Sequence, residues 1–209
     1  MLGAGFRIAL RDLELRGAGD LLGPDQSGHI AAVGYELYCR LLEQAVSDLR
    51  ADGGMPSSPV QVDLGWSGYF PSAWIPGASR RIDAYRRLIG ASSMASIAQV
   101  MQDLQSAYGE VPVAAQRFCQ ICELAVSVQE FGGVAVLRRD ADVVFRAPNP
   151  RVVMSVLGGL PGQLRPVGQA DGAGLREIWW RPPASMFTLE GVTQAVCAAV
   201  ESADAETFK

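Results

Sequence analysis

Apolar residues recur along this chain at two different periods, and the change between them divides it. From Ile30 to Leu49, Tyr35, Tyr38, Leu41, Leu42, Ala45, Val46 and Leu49 follow the helical period, so one face of a helix is apolar. Before it, Phe6, Leu10 and Leu13 stand at i, i+4 and i+7, with Arg7 and Arg11 on another face. That shorter helix must end at Arg16-Gly17-Ala18-Gly19, where glycines free the backbone to turn. Between Ala51 and Pro59 every period is lost, and Ala-Asp-Gly-Gly-Met-Pro-Ser-Ser-Pro is a linker by composition.

Beyond the linker, Val60, Val62 and Leu64 alternate with Gln61 and Asp63, which predicts a short strand. Trp66, Tyr69, Phe70 and Trp74 follow among prolines, either covering the edge of a core or forming a ligand slot. Three helices come next. The first, Ala78 to Gly90, turns Ile82, Tyr85, Leu88 and Ile89 inward and Arg80, Arg81, Arg86 and Arg87 outward. The second starts at Ser92 or Ser93, carries Ile97, Val100, Met101 and Leu104, and ends at Gly109. The third runs from Pro112 to Phe131 and stops at Gly132-Gly133. The period then falls to two: Val134 to Leu137 and Val143 to Phe145 flank a charged turn, Arg138 to Asp142, in a predicted hairpin. A short helix at Pro150 to Leu157, strands at Leu164 to Val167 and Leu175 to Trp180, and a helix from Thr188 to Ser202 complete the chain. The expected fold class is α+β: a helical tail at 1–50, a linker at 51–59, and a domain at 60–209 with a helical layer and a short antiparallel sheet.

Composition narrows the chemistry. Hydrophobic residues make up 49% and charged residues 19% of the 209, enough apolar surface for a folded core. The formal charge of −4 argues against a general nucleic-acid surface, although a local arginine contact stays open for the Arg80, Arg81, Arg86 and Arg87 face. Lys209 is the only lysine, so no Gly-x-x-x-x-Gly-Lys phosphate loop exists in this sequence, and no P-loop ATPase activity is expected of it alone. Cys119 and Cys122 have C-x-x-C spacing, but no second pair completes a zinc site, and the helical pattern around them favours buried thiols over a redox pair. His29, the one histidine, has no nucleophile or carboxylate pattern beside it, so neither a catalytic residue nor a metal site is expected. Without a leader-like or membrane-length apolar run, a cytoplasmic protein is expected.

Gly5-Phe6, Ile8-Ala9, Asp12-Leu13-Glu14, Leu15-Arg16-Gly17-Ala18-Gly19, Leu21-Leu22-Gly23 and Gln26-Ser27-Gly28 together resemble the TRG motif shared by transcription-repair coupling factors and RecG-type helicases. In those proteins the motif links ATP hydrolysis to movement along duplex DNA. The resemblance implies that Arg16 and Gln26 take that coupling role, and that the first helix of the motif's hairpin lies before residue 1. On residue types alone, Arg16 equally caps its own helix end.

The second domain distinguishes the two families. Phe70-Pro71-Ser72-Ala73-Trp74-Ile75-Pro76, Arg81-Ile82-Asp83-Ala84-Tyr85-Arg86-Arg87-Leu88 and Asp103-Leu104 to Tyr108-Gly109-Glu110-Val111-Pro112 resemble the C-terminal domain of bacterial transcription-repair coupling factors, which RecG-type helicases lack. The resemblance implies a non-catalytic regulatory domain that clasps the N-terminal UvrB-like module and masks the surface recruiting UvrA until RNA polymerase is engaged. It implies no cofactor here, with ATP and Mg bound by the motor of the longer protein. Of the family's acidic, acidic and arginine clasp positions only the first is kept, as Asp103; the others are Ser106 and Ala107. A solvent-facing helix carboxylate is the plain alternative for Asp103. Two further readings stay open: an interaction module of another helicase with this motif, and a redox protein using Cys119 and Cys122.

Overall fold

A computed structural model describes residues 60–203. The helices expected before Leu49, the 51–59 linker, and Arg16, Gln26 and His29 lie outside the described residues.

The alternation at Val60, Val62 and Leu64 gives strand β1 (Gln61–Asp63), whose flanking apolar residues turn into a core. The three expected helices follow as α1 (Ala78–Ile89), α2 (Met94–Tyr108) and α3 (Val113–Glu130). Next come β2 (Ala135–Arg139), β3 (Asp142–Ala147), α4 (Pro150–Leu157), β4 (Gln163–Val167), β5 (Arg176–Arg181), a 3-10 turn at Ala184–Met186, and α5 (Leu189–Glu201). The fold is α+β, as the periods imply.

Local chemistry sets the helix ends. The Ser93 hydroxyl accepts from the Ser96 amide at 3.2 Å and the Ser96 hydroxyl accepts from the Ser93 amide at 3.1 Å, a reciprocal cap that satisfies two donors at the start of α2. Asn149 and Thr188 cap α4 and α5 through their side-chain oxygens.

The sheet order is β1-β2-β3-β5-β4. Four strands are antiparallel neighbours, whereas β1 joins β2 in parallel, which makes the sheet mixed rather than wholly antiparallel. The reason is the connection: α1, α2 and α3 all lie between β1 and β2, and a helical crossover returns the chain in the same direction. The β2–β3 turn is also shorter than the sequence implies. Asp140 adopts φ 54, a left-handed conformation that aspartate tolerates better than most residues, and Asp140 and Ala141 alone reverse the chain. Arg138, Arg139 and Asp142 therefore sit in strands.

Two cores share α3. On one side Leu124 and Val128 pack with Val136, Val143, Phe145, Ile178 and Trp180 of the sheet and with α4 and α5. On the other, Ala115, Phe118, Cys122 and Val126 pack with Leu88 of α1, Ile97 and Leu104 of α2, and Phe70, Trp74 and Ile75. This double burial explains why α3 is apolar almost all round. The aromatic loop closes the second core: the Phe70 ring lies 4.6 Å from Tyr85 and 5.4 Å from Phe118, and the Phe70 amide donates to the Tyr85 hydroxyl at 2.8 Å. Trp66 packs instead on Phe187 beside the sheet core, and Tyr69 stays exposed.

Candidate interaction surface

Helices α1 and α2 pack through Ala84 and Leu88 on one side and Ile97, Val100 and Leu104 on the other. Their outer edges diverge into an open groove of about 400 Å³, lined by Arg80, Asp83 and Arg87 from α1 and Asp103, Ala107 and Tyr108 from α2. The sequence placed Asp103 and the arginine face as separate features. The fold brings them together, because the exposed flank of α1 faces the exposed flank of α2.

Asp103 is held from two directions. Gln99 Nε2 donates to Oδ1 at 2.9 Å from one turn earlier, and Arg87 Nη2 donates to Oδ2 from across the groove. The Gln99 hydrogen bond, then the Arg87 hydrogen bond, holds the Asp103 carboxyl below its ordinary pKa. A carboxylate oxygen has two lone pairs, so each keeps acceptor capacity, and the side chain is 42% exposed. The result is a fixed, ionised acceptor at the groove wall.

The arginine face is not uniform. Arg80, Arg86 and Arg87 are exposed as expected, but Arg81 is half-buried and donates from Nη1 to the Ile75 carbonyl at 3.0 Å, tying α1 to the aromatic loop. Farther along α2, the Ser106 hydroxyl donates to the Gln102 carbonyl at 2.8 Å, and Ala107 presents only a methyl group. The α2 wall of the groove thus carries one anion where the sequence resemblance implies a denser charged set. Arg87 was read in the sequence only as part of the arginine face, since the crossing of α1 over α2 alone makes it Asp103's partner, and Gln99, four residues before Asp103 on the same helix, was not singled out.

The other candidates recede. Cys122 is buried and its thiol is pushed up to about 12 by burial and then Glu123, while burial and Glu123 also push Cys119 up strongly. Neither is a thiolate at neutral pH, so the pair lacks the reactive form a redox site needs. Among the described residues no group of histidine, cysteine and carboxylate side chains could hold a metal ion. No described helix is long and apolar enough to cross a membrane.

The family model for the TRCF domain matches residues 64–153. A transcription-repair-coupling factor of Mycobacterium bovis is 37% identical over 158 residues, covering 70% of this chain and 13% of that protein. One from Staphylococcus epidermidis is 31% identical over 178 residues, covering 84% of this chain and 15% of its own length. One from Helicobacter pylori is 37% identical over 131 residues, 63% of this chain and 13% of that protein. The chain therefore spans only about an eighth to a seventh of the length of these relatives. A solved structure described as the C-terminal domain of transcription-repair coupling factor superposes with a TM-score of 0.53 over 70% of this chain and 97% of that one, at 16% identity, and shares its fold.

Proposed function

The chain belongs to the transcription-repair-coupling factor family, and from that premise we propose that residues 60–209 are a non-catalytic clasp on the UvrB-like module of the longer protein. In this reading the α1–α2 groove is the contact surface, and closure of the clasp masks recruitment of UvrA until RNA polymerase is engaged. The observation that carries it is Asp103: ionised, half-exposed and fixed by Arg87 and Gln99 at the wall of a groove, a carboxylate prepared to accept from a partner's cation.

Calorimetric titration of the whole 209-residue chain with the UvrB-like module tests it. Binding is expected, weakened about tenfold or more by Asp103→Lys, because the reversed charge meets the partner's cation. Absence of binding at high concentration overturns the clasp. For residues 1–50, we carry the TRG resemblance forward: Arg16 and Gln26 couple ATP hydrolysis to movement on duplex DNA in the longer protein, whose motor binds ATP and Mg. Arg16→Ala in that protein is expected to spare nucleotide binding and abolish polymerase displacement; intact displacement sinks the assignment.

A further inference from the structure

The described helices cover one face of the sheet only. Strand residues of the core, Val136, Val143, Phe145, Ile178 and Trp180, share one parity. The opposite parity puts Leu137 beside Val144, Val144 beside Trp179, and Trp179 beside Arg165, a strip running across four strands. None of these side chains belongs to either core cluster; Val144 is fully buried, while Leu137 and Trp179 are partly exposed. Trp179 is half-buried; its Nε1 donates to Glu177 Oε2 at 2.9 Å, and Arg165 lies over its ring at 5.8 Å.

Charge is unevenly placed along this strip. At the end beside the β2–β3 turn, Arg181 grips Asp142 with both arms of its fork, Nε to Oδ1 at 3.0 Å and Nη2 to Oδ2 at 2.5 Å, and Arg165 Nη2 stands 3.6 Å from the same Oδ2. Asp142 is 2% exposed, whereas the Arg165 and Arg181 side chains are 43% and 51% exposed. The carboxylate is hidden beneath the guanidinium groups. Arg139, the cross-strand partner of Asp142, is exposed and makes no ion pair with a described residue, whereas Arg138 alternates to the core face, where it lies over the Phe187 ring. Three arginines, Arg139, Arg165 and Arg181, thus surround Asp142 on this face, and with Asp142 covered, solvent meets the three cations beside the Asp63 and Asp140 carboxylates of the neighbouring cleft. An open cleft of about 640 Å³ continues the surface past Leu137 and Arg139 to Gly65.

We propose that this sheet face, which no described helix covers, docks an acidic segment of a protein partner, which seats an apolar side chain on Leu137 and Trp179 and places carboxylates against Arg139, Arg165 and Arg181. A fork of guanidinium donors suits carboxylates, and the flat apolar strip suits one anchoring side chain between them. Nucleic acid fits less well: Arg165 already covers the ring on which a base would stack, and Glu177 stands on the same strip. The surface is formed by other elements than the α1–α2 groove and does not depend on the clasp.

The test is fluorescence anisotropy of a labelled peptide, Glu-Glu-Phe-Glu-Glu, titrated with the full chain and with Arg139→Glu and Arg165→Gln variants. Saturable binding is expected, weakened by salt, lost when glutamine replaces the peptide's glutamates, and reduced about tenfold by either variant while the thermal midpoint is kept. Three results overturn the proposal: a short single-stranded DNA binding more tightly than the peptide through the same arginines, a dimer of the chain that Arg139→Glu dissociates, or no arginine-dependent binding of the peptide.

Discussion

Gly68 crosses α3 so closely that a Cβ on it would stand 2.2 Å from the backbone nitrogen of Phe118. This approach lets the Tyr69 amide donate to the Ala114 carbonyl at 3.0 Å and delivers Phe70 into the core that supports the α1–α2 groove. Backbone cannot yield as a flexible side chain can. Gly68→Ala is therefore expected to destabilise by about 3 kcal/mol or more, since overpacking costs of about 1–3 kcal/mol assume movable neighbours. Gly159→Ala, where an added Cβ meets nothing within 4 Å, is the control. Equal thermal midpoints for the two variants refute the close approach.

Thiol chemistry separates a structural C-x-x-C from a reactive one. Burial raises Cys119, Cys122 and Cys197, so the native protein holds all three as thiols at neutral pH. In a Cys39→Ser background, labelling by a disulfide reagent is expected to be slow in buffer and rapid in denaturant. Fast native labelling of Cys119 and Cys122 would restore the redox reading.

Much of the architecture is legible in the sequence because its signals are local. Ser93, Gly109, Gly132, Asn149 and Thr188 mark helix ends through caps that depend on a few neighbouring residues. What was not legible depends on residues far apart. The parallel pairing of β1 with β2 follows from the three-helix crossover, and the Arg87–Asp103 pair joins residues 16 apart on different helices. Asp142, a turn residue by composition, becomes a buried acceptor because Asp140 shortens the turn and Arg181 arrives from β5, 39 residues on.

Acid should weaken the protein through two carboxylates in particular. Asp171 accepts from the Leu175 and Ala173 amides and pairs with Arg146, and the Leu175 hydrogen bond leads in holding its pKa below the ordinary value; Asp103 is lowered by Gln99 and then Arg87. With folded pKa values below unfolded ones, the unfolded chain binds more protons in acid. Their stabilisation is present above the usual carboxylate pKa of about 3.9 and is lost as pH falls through the lower folded values. Asp171→Asn keeps an acceptor for the two amides but cannot titrate, so the urea midpoint should fall less steeply below about pH 4 than in the parent. An unchanged slope contradicts the assignment.

The Arg87–Asp103 pair can serve the fold, the partner, or both, and exchanging its charges distinguishes these roles. Both side chains are about 40% exposed, so the pair contributes only modestly to stability, and single changes at either position should lower the thermal midpoint slightly at neutral pH. The double variant Arg87→Asp with Asp103→Arg rebuilds an ion pair across the groove with its direction reversed. If the pair only steadies α1 against α2, the double variant recovers whatever binding of the UvrB-like module the single variants lose. If the partner reads an anion on α2 and a cation on α1, binding stays weak although the internal pair is restored. The clasp proposal expects the second outcome, because Asp103 keeps free acceptor capacity on the groove wall while Arg87 approaches from the other side. Full recovery by the double variant would reduce Asp103 to a structural residue and move the contact elsewhere on the domain.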